Sequence, residues 1–203
     1  MRTLILIPII HTERDMGSLL EQVKSAYVMR YGEQKWAEHL ECIDRVWVAI
    51  RQQVAALQLS YPMVRIYQDG LPVCAKEAEI VRDVAHSGSP NHQLILELMA
   101  HGAKLMGTED PQLLFQEYQL VTRGLSAAAK SRELRPQLES ESARLLTARD
   151  RYIAARINET LQGGETGLLF LGMAHAVEGL LAGDLLVRRL PPAMPWPQPA
   201  AAT

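Results

Sequence analysis

Residues 149–179 read RDRYIAARINETLQGGETGLLFLGMAHAVEG, and the fold follows from how this stretch is divided. Taken as a helix, its first part sets Arg149 on one side with Leu145, Tyr152, Ile153 and Arg156, at about 100° per residue. Two arginines then point inward. A guanidinium cannot shed its charge, so Arg149 or Arg156 needs an acidic or anionic partner inside the protein. Gly163-Gly164 breaks the helix, and the apolar run Leu168 to Leu171 reads as a buried strand that carries Gly172-Met173-Ala174-His175 beyond its C-terminal end. In open parallel sheets, ligands bind at that edge.

Working outward, other apolar runs end in the same way. Thr3 to Ile10 is rich in Ile and Leu on both faces, as a central parallel strand should be, and His11 closes it. Met63 to Tyr67 runs into Gln68-Asp69-Gly70, and Ala103 to Met106 into Gly107-Thr108-Glu109-Asp110-Pro111; a last strand spans Asp184 to Leu190. Helices are expected over Gly17 to Arg30, Glu33 to Leu59, Lys76 to His86, His92 to Ala100, Pro111 to Gly124, Arg132 to Gln162 and Ala176 to Ala182. The expected architecture is α/β: a mostly parallel sheet of about five strands flanked by helices, with a long helical hairpin after the first strand. Residues 1–190 form one α/β domain, the hairpin is an insertion at 17–59, and 191–203 is a Pro-rich tail that cannot pair inside a sheet. Trp36, Leu40, Ile43, Trp47, Ile50, Val54 and Leu57 recur at spacings of four and three, a seam that asks for a covering helix. The 17–30 helix is the expected cover, and a homodimer on that seam is the alternative.

Composition limits function. The 203 residues are 48% hydrophobic with a formal charge of −2. Basic residues are scattered, which argues against a nucleic-acid or anionic-membrane partner. Cys42 and Cys74 are too few for a disulfide framework or a Cys-ligated zinc, so a cytoplasmic location is expected. The run Leu4 to Ile10 is too short for a membrane span or a signal peptide.

The strand ends thus deliver His11, Asp69, Glu109 and His175 to one edge, with Arg149 entering from a covering helix. Asp69 reads equally well as a turn former beside Gly70. Asp110 and Pro111 are explained by helix initiation, which leaves Glu109 as the acid without a local purpose. Two histidines and a carboxylate make the ligand set of many divalent-metal centres, although such centres usually include a short-spaced pair. No HExxH, P-loop, GxSxG or GxGxxG motif stands at a convincing place.

The Arg149-Asp150 pair on a helix, the Gly-rich turn and the strand running into Gly172-Met173-Ala174-His175 resemble the C-terminal pattern of the TraB and TIKI-type family, related to the erythromycin esterase and ChaN-like proteins. That pattern also has an N-terminal Gly-x-x-His after the first strand; here Pro8-Ile9-Ile10-His11 keeps the histidine and lacks the glycine. Glu109 is the best match for its acidic residue. The resemblance implies a metal-dependent hydrolase-like site in some members and ligand binding, including haem, in others. The leading expectation is a hydrolase-like protein acting on a small-molecule or peptide ligand. In it, His11, Glu109 and His175 hold a divalent metal or polarise water, Arg149 stabilises an anionic group, and Asp69 and Gly172 contribute to binding. The alternatives are a non-catalytic binder of a small anionic ligand or haem-like cofactor, and a dimeric scaffold built on the 36–57 seam.

Overall fold

The computed structural model describes residues 1–125 and 134–193. Five strands, all parallel, form one sheet in the order β3-β2-β4-β1-β5: β1 Arg2–Ile9, β2 Val64–Gln68, β3 Lys104–Met106, β4 Thr166–Gly172 and β5 Leu185–Arg189. The helices are α1 Leu20–Tyr31, α2 Glu33–Ala55, α3 Glu77–His86, α4 Pro90–Ala100, α5 Pro111–Leu125 and α6 Arg135–Thr160.

Alternation along the strands divides the core into two layers. Ile5, Ile7, Ile9, Val64, Ile66, Leu168 and Phe170 face α2, α3 and α4; Leu4, Leu6, Tyr67, Leu169 and Leu171 face α6 and the connection to β5. Both sides of central β1 and β4 are therefore dry, which is why these strands read as apolar runs, whereas β2 carries the half-buried Arg65 paired with Glu165. The same layering follows from right-handed crossovers. Connections running from β1 to β2 and from β2 to β3 cover one face, and those returning to β4 and on to β5 cover the other. Pro8 is tolerated inside central β1 because β5 has already ended beside it: the Leu190 amide donates to the Leu6 carbonyl at 2.9 Å, so the rung that Pro8 cannot supply lies beyond the last residue of β5.

The seam on α2 is buried within the chain, but α1 is not its main cover. Ile43, Val46, Trp47, Ile50 and Val54 pack on the sheet and α4, while Trp36 meets α1 through Tyr27 at a ring separation of 5.3 Å. Length explains the difference. At 12 residues α1 spans about 18 Å, roughly half of the 23-residue α2, and a three-four spacing serves a helix on a sheet as well as a helix on a helix.

The inward face of α6 is also rotated from the expected one. Arg149, Asp150, Ile153, Ala154 and Ile157 are buried, while Tyr152 and Arg156 stand half-exposed at its margin. A small alanine and a buried aspartate carry no hydrophobic signal, so the apolar pattern alone misjudges the angle. Smaller departures have local causes. Residues Glu13–Leu19 form 3-10 turns kinked at Gly17 before α1 begins. α4 starts two residues early because Ser89 is its N-cap, accepting from the His92 amide, and Pro90 takes the first helical position. The expected helix from Ala176 is one 3-10 turn, Glu178–Leu180. The polar connection before α6 and the Pro-rich tail fall largely at 126–133 and 194–203, outside the described residues. No described helix is long and apolar enough to cross a membrane.

Trp47 joins the seam to the sheet and to the end of β1. Its ring is 2% exposed and its indole N–H donates to the Ile10 carbonyl at 3.1 Å, one residue before His11. Trp47→Ala is therefore expected to lower the unfolding free energy by about 3–5 kcal/mol, and Trp47→Phe by about 1 kcal/mol beyond its lost volume, as measured by urea denaturation. A loss below about 1 kcal/mol for the alanine variant would contradict this packing.

Candidate functional site

β4 lies between β2 and β1, whose connections cover one face of the sheet, while its own connection covers the other. In parallel sheets ligands bind where chain directions part in this way. The residues at that point are His11 after β1, Asp69 after β2, and Gly172 to His175 at and after β4.

Asp69 is the centre. Its side chain is 3% exposed. Oδ2 accepts from His11 Nε2 at 3.2 Å and from the Gly172 amide at 2.9 Å; Oδ1 accepts from Arg149 Nη2 at 2.8 Å and faces His175 Nε2 at 3.5 Å. His175 is fixed from its other side, where Nδ1 donates to Asp150 Oδ1 at 2.5 Å, and the second oxygen of Asp150 accepts from the Ala176 amide at 3.0 Å. Gly172 is required by proximity: a Cβ there would lie 2.7 Å from Asp69 Oδ2 and 3.6 Å from His11 Nε2.

Glu109 belongs to a different part of this network. It is fully buried and does not touch either histidine; Arg149 and Asp69 stand between. Arg149 Nε donates to its Oε2 at 2.5 Å, Arg149 Nη2 to its Oε1 at 2.7 Å, and the Gly70 amide to Oε1 at 2.7 Å. The turn that presents Asp69 is held by the Glu109 loop, through Val73 donating to the Glu109 carbonyl at 2.8 Å and the Thr108 and Glu109 amides donating to that of Leu71, both at 3.0 Å. Arg149 also donates from Nη1 to Glu117 on α5. The buried arginine that the sequence requires to be paired is thus matched by three carboxylates. Arg156 does not join them. Its Nε reaches the Gly107 carbonyl at 3.4 Å and its Nη1 reaches Glu159 at 3.2 Å.

The electrostatics follow from this geometry. Burial alone would push both imidazoles down, but hydrogen bonds to Asp69 and its charge outweigh it and raise both His11 and His175 above 6.5. Burial would likewise raise Asp69, yet the two histidines hold it well below the ordinary carboxylate range. Glu109 moves the other way: burial raises it, and Arg149 offsets only part of that. With carboxylates at both nitrogens, His175 is a ring that donates twice, the form an imidazolium takes. His11 is 43% exposed and gives the cluster its opening to solvent.

Sequence reasoning named His11, Asp69, Glu109, Arg149, Gly172 and His175, and all six belong to one connected network. It missed Asp150, although the Arg-Asp pair that carries the family resemblance contains it, and it missed Glu117, which on an amphipathic helix looks like a solvated acid. It also missed a second polar cluster that fixes the chain just after His11. Asp15 accepts from Thr12 N at 2.7 Å and from Ser89 Oγ at 2.6 Å, and lies 3.2 Å from His92 Nδ1. Burial opposes the charge of Asp15, but these donors lower its pKa.

Compared with known proteins, the chain matches no family model, no curated sequence and no solved structure.

Removing Arg149 leaves Asp69 and Glu109 buried without their common partner. Arg149→Met is expected to cost about 3–5 kcal/mol at pH 7. Glu109, whose folded pKa burial already raises, is raised further without the guanidinium, so the penalty is smallest at acidic pH and grows as pH rises through its folded value. Denaturant titrations at pH 5 and pH 7 measure the difference, and adding Glu109→Gln should recover part of the loss at pH 7. A pH 7 cost under about 1 kcal/mol would contradict the burial of an obligatory ion pair.

Proposed function

We propose that the chain is a hydrolase-like protein whose centre is the His11-Asp69-His175 cluster, with a divalent cation as its cofactor. The observation that carries the reading is that two imidazole Nε2 atoms from different strand ends face one buried carboxylate, at 3.2 and 3.5 Å. Donors sharing a tetrahedral ion at bond lengths of about 2.0–2.2 Å stand about 3.3–3.6 Å apart. The Asp150 carboxylate on His175 Nδ1 is the outer partner that metal-bound histidines commonly have, and it turns Nε2 toward Asp69. Among the described residues no three His, Cys, Asp or Glu side chains make a coordination shell as they stand. Binding of a cation there would displace the ring protons that point at Asp69.

The carboxylate of this set is Asp69, in place of the Glu109 expected from sequence, because both oxygens of Glu109 are committed to Arg149 and Gly70. A bound cation would supply a water acidic enough to act as nucleophile near neutral pH. The chain's own contributions are separate. Asp150 fixes the His175 tautomer, Arg149 holds the Asp69 carboxylate in place, and the exposed edge of His11 leaves a face on which a substrate can approach. That Arg149 already serves two buried carboxylates weighs against a pure anion binder built on it.

Thermal unfolding of chelator-treated protein with and without Zn2+, Mn2+ or Co2+ tests the reading. At 100 times the dissociation constant the preferred ion should stabilise the protein by about 2.7 kcal/mol. That gain should vanish in His11→Ala and Asp69→Asn, along with any hydrolysis of activated ester substrates. Should none of these ions, nor Mg2+, change the stability of the parent protein, the centre works without a metal and the proposal fails.

A further inference from the structure

Among the described residues, three buried side-chain atoms have no hydrogen-bond partner, and they belong to only two residues: Oε1 of Gln68 and both amide atoms, Oδ1 and Nδ2, of Asn91. Buried polar groups in folded proteins are nearly always partnered, by protein or by bound water, because a bare one has given up its hydration for nothing. Gln68 Nε2 donates to the Asp69 carbonyl at 3.0 Å, which fixes Oε1 as the bare acceptor.

Both side chains face the same layer of the core. Alternation along β2 sets Gln68 with Val64 and Ile66, on the side of the sheet covered by α2, α3 and α4. Asn91 precedes Ile95 by one helical repeat and Leu98 by two, so it shares their stripe on the inner face of α4. Their heights match as well. α4 opens at Ser89, which donates to Asp15 in the turn after His11, and His11 meets Asp69, the residue after Gln68. Neighbouring hydroxyls are already engaged: Ser89 Oγ is held between Asp15 and His92, and Thr108 Oγ1 accepts from the Gln68 amide at 2.9 Å and donates to the Met106 carbonyl at 3.2 Å.

The three atoms select their occupant. Two carbonyl oxygens would repel an anion, and a cation would find an N–H group and no carboxylate among them. A neutral molecule that both donates and accepts satisfies all three. Gln68 and Asn91 are 1% and 0% exposed, which closes the position to a group carried on a larger ligand and leaves water. We propose that the end of β2 and the start of α4 enclose an internal water site, in which bound water donates to Gln68 Oε1 and Asn91 Oδ1 and accepts from Asn91 Nδ2. The water joins α4 to the strand end that presents Asp69. It rests neither on a metal nor on hydrolysis.

A crystal structure of the metal-free protein, at a resolution that shows ordered water, tests the site directly. Water density should lie about 2.7–3.2 Å from Gln68 Oε1 and from the Asn91 amide. A site without water density, or one in which these amides turn to protein partners, overturns the proposal. Asn91→Leu gives a second readout, because an apolar side chain of similar branched shape acts in opposite directions in a wet and a dry site. In a dry site it removes two bare polar atoms, and the melting temperature should hold or rise. In a hydrated one it takes away the water's partners and strands Gln68, and the melting temperature should fall by about 2–4 °C, the worth of one buried hydrogen bond. An unchanged or raised melting temperature therefore also overturns the proposal. If the variant does not fold, the density decides alone.

Discussion

The ion pair between Asp69 and Arg149 is the constraint on which the rest of the candidate site depends. A carboxylate at the end of a central strand, 3% exposed, would be too costly to keep charged without compensation. Arg149 supplies a charge that cannot be titrated away, and the Gly172 amide adds a donor from the neighbouring strand. With its charge secured, Asp69 holds two histidines from opposite sides. Each partner comes from a different segment: β1, β4 and α6. The cluster can exist only when the sheet order and the placement of α6 are both correct.

The topology explains why those segments meet. β4 is inserted between β1 and β2, and its connection leaves over the opposite face from theirs, so three strand ends and the inward face of α6 converge on one edge of the sheet. The loop contacts make it rigid. The Glu109 loop holds the Asp69 turn, Trp47 holds the Ile10 carbonyl, and Asp15 with Ser89 ties the chain after His11 to the start of α4. Histidines and carboxylates whose pKa values are pushed apart at one sheet edge are characteristic of functional sites.

Much of this is legible in the sequence because parallel strands give a strong signal: an apolar run with both faces dry, ended by a polar residue. His11, Asp69, Glu109 and His175 are found in that way. Arg149 is found because a charged residue inside an apolar helical stripe has to be explained. What is not legible depends on direction. Asp150 lies one position from Arg149, about 100° around the helix, and only the packing of Ala154 and Ile157 reveals that this side also faces inward. Glu109 and Asp69 look interchangeable as strand-end acids. Which one meets the histidines is decided by the turn at Gly70, whose φ of 79° few other residues would adopt, and by the reach of one guanidinium. The cover of the α2 seam is ambiguous for a similar reason, since the spacing that suits a helical partner also suits a sheet.

The central claim is that one buried carboxylate governs both histidines, and the titration of their ring nitrogens measures it most directly. Nitrogen-15 NMR of histidine-labelled, metal-free protein resolves each imidazole and its tautomer. His11 and His175 should both titrate above 6.5 in the parent protein, and both should titrate lower in Asp69→Asn, because the charge and hydrogen bonds of Asp69 then no longer oppose burial. If both rings in the parent titrate at or below 6.5, or if Asp69→Asn leaves them unmoved, Asp69 is not the centre of this site.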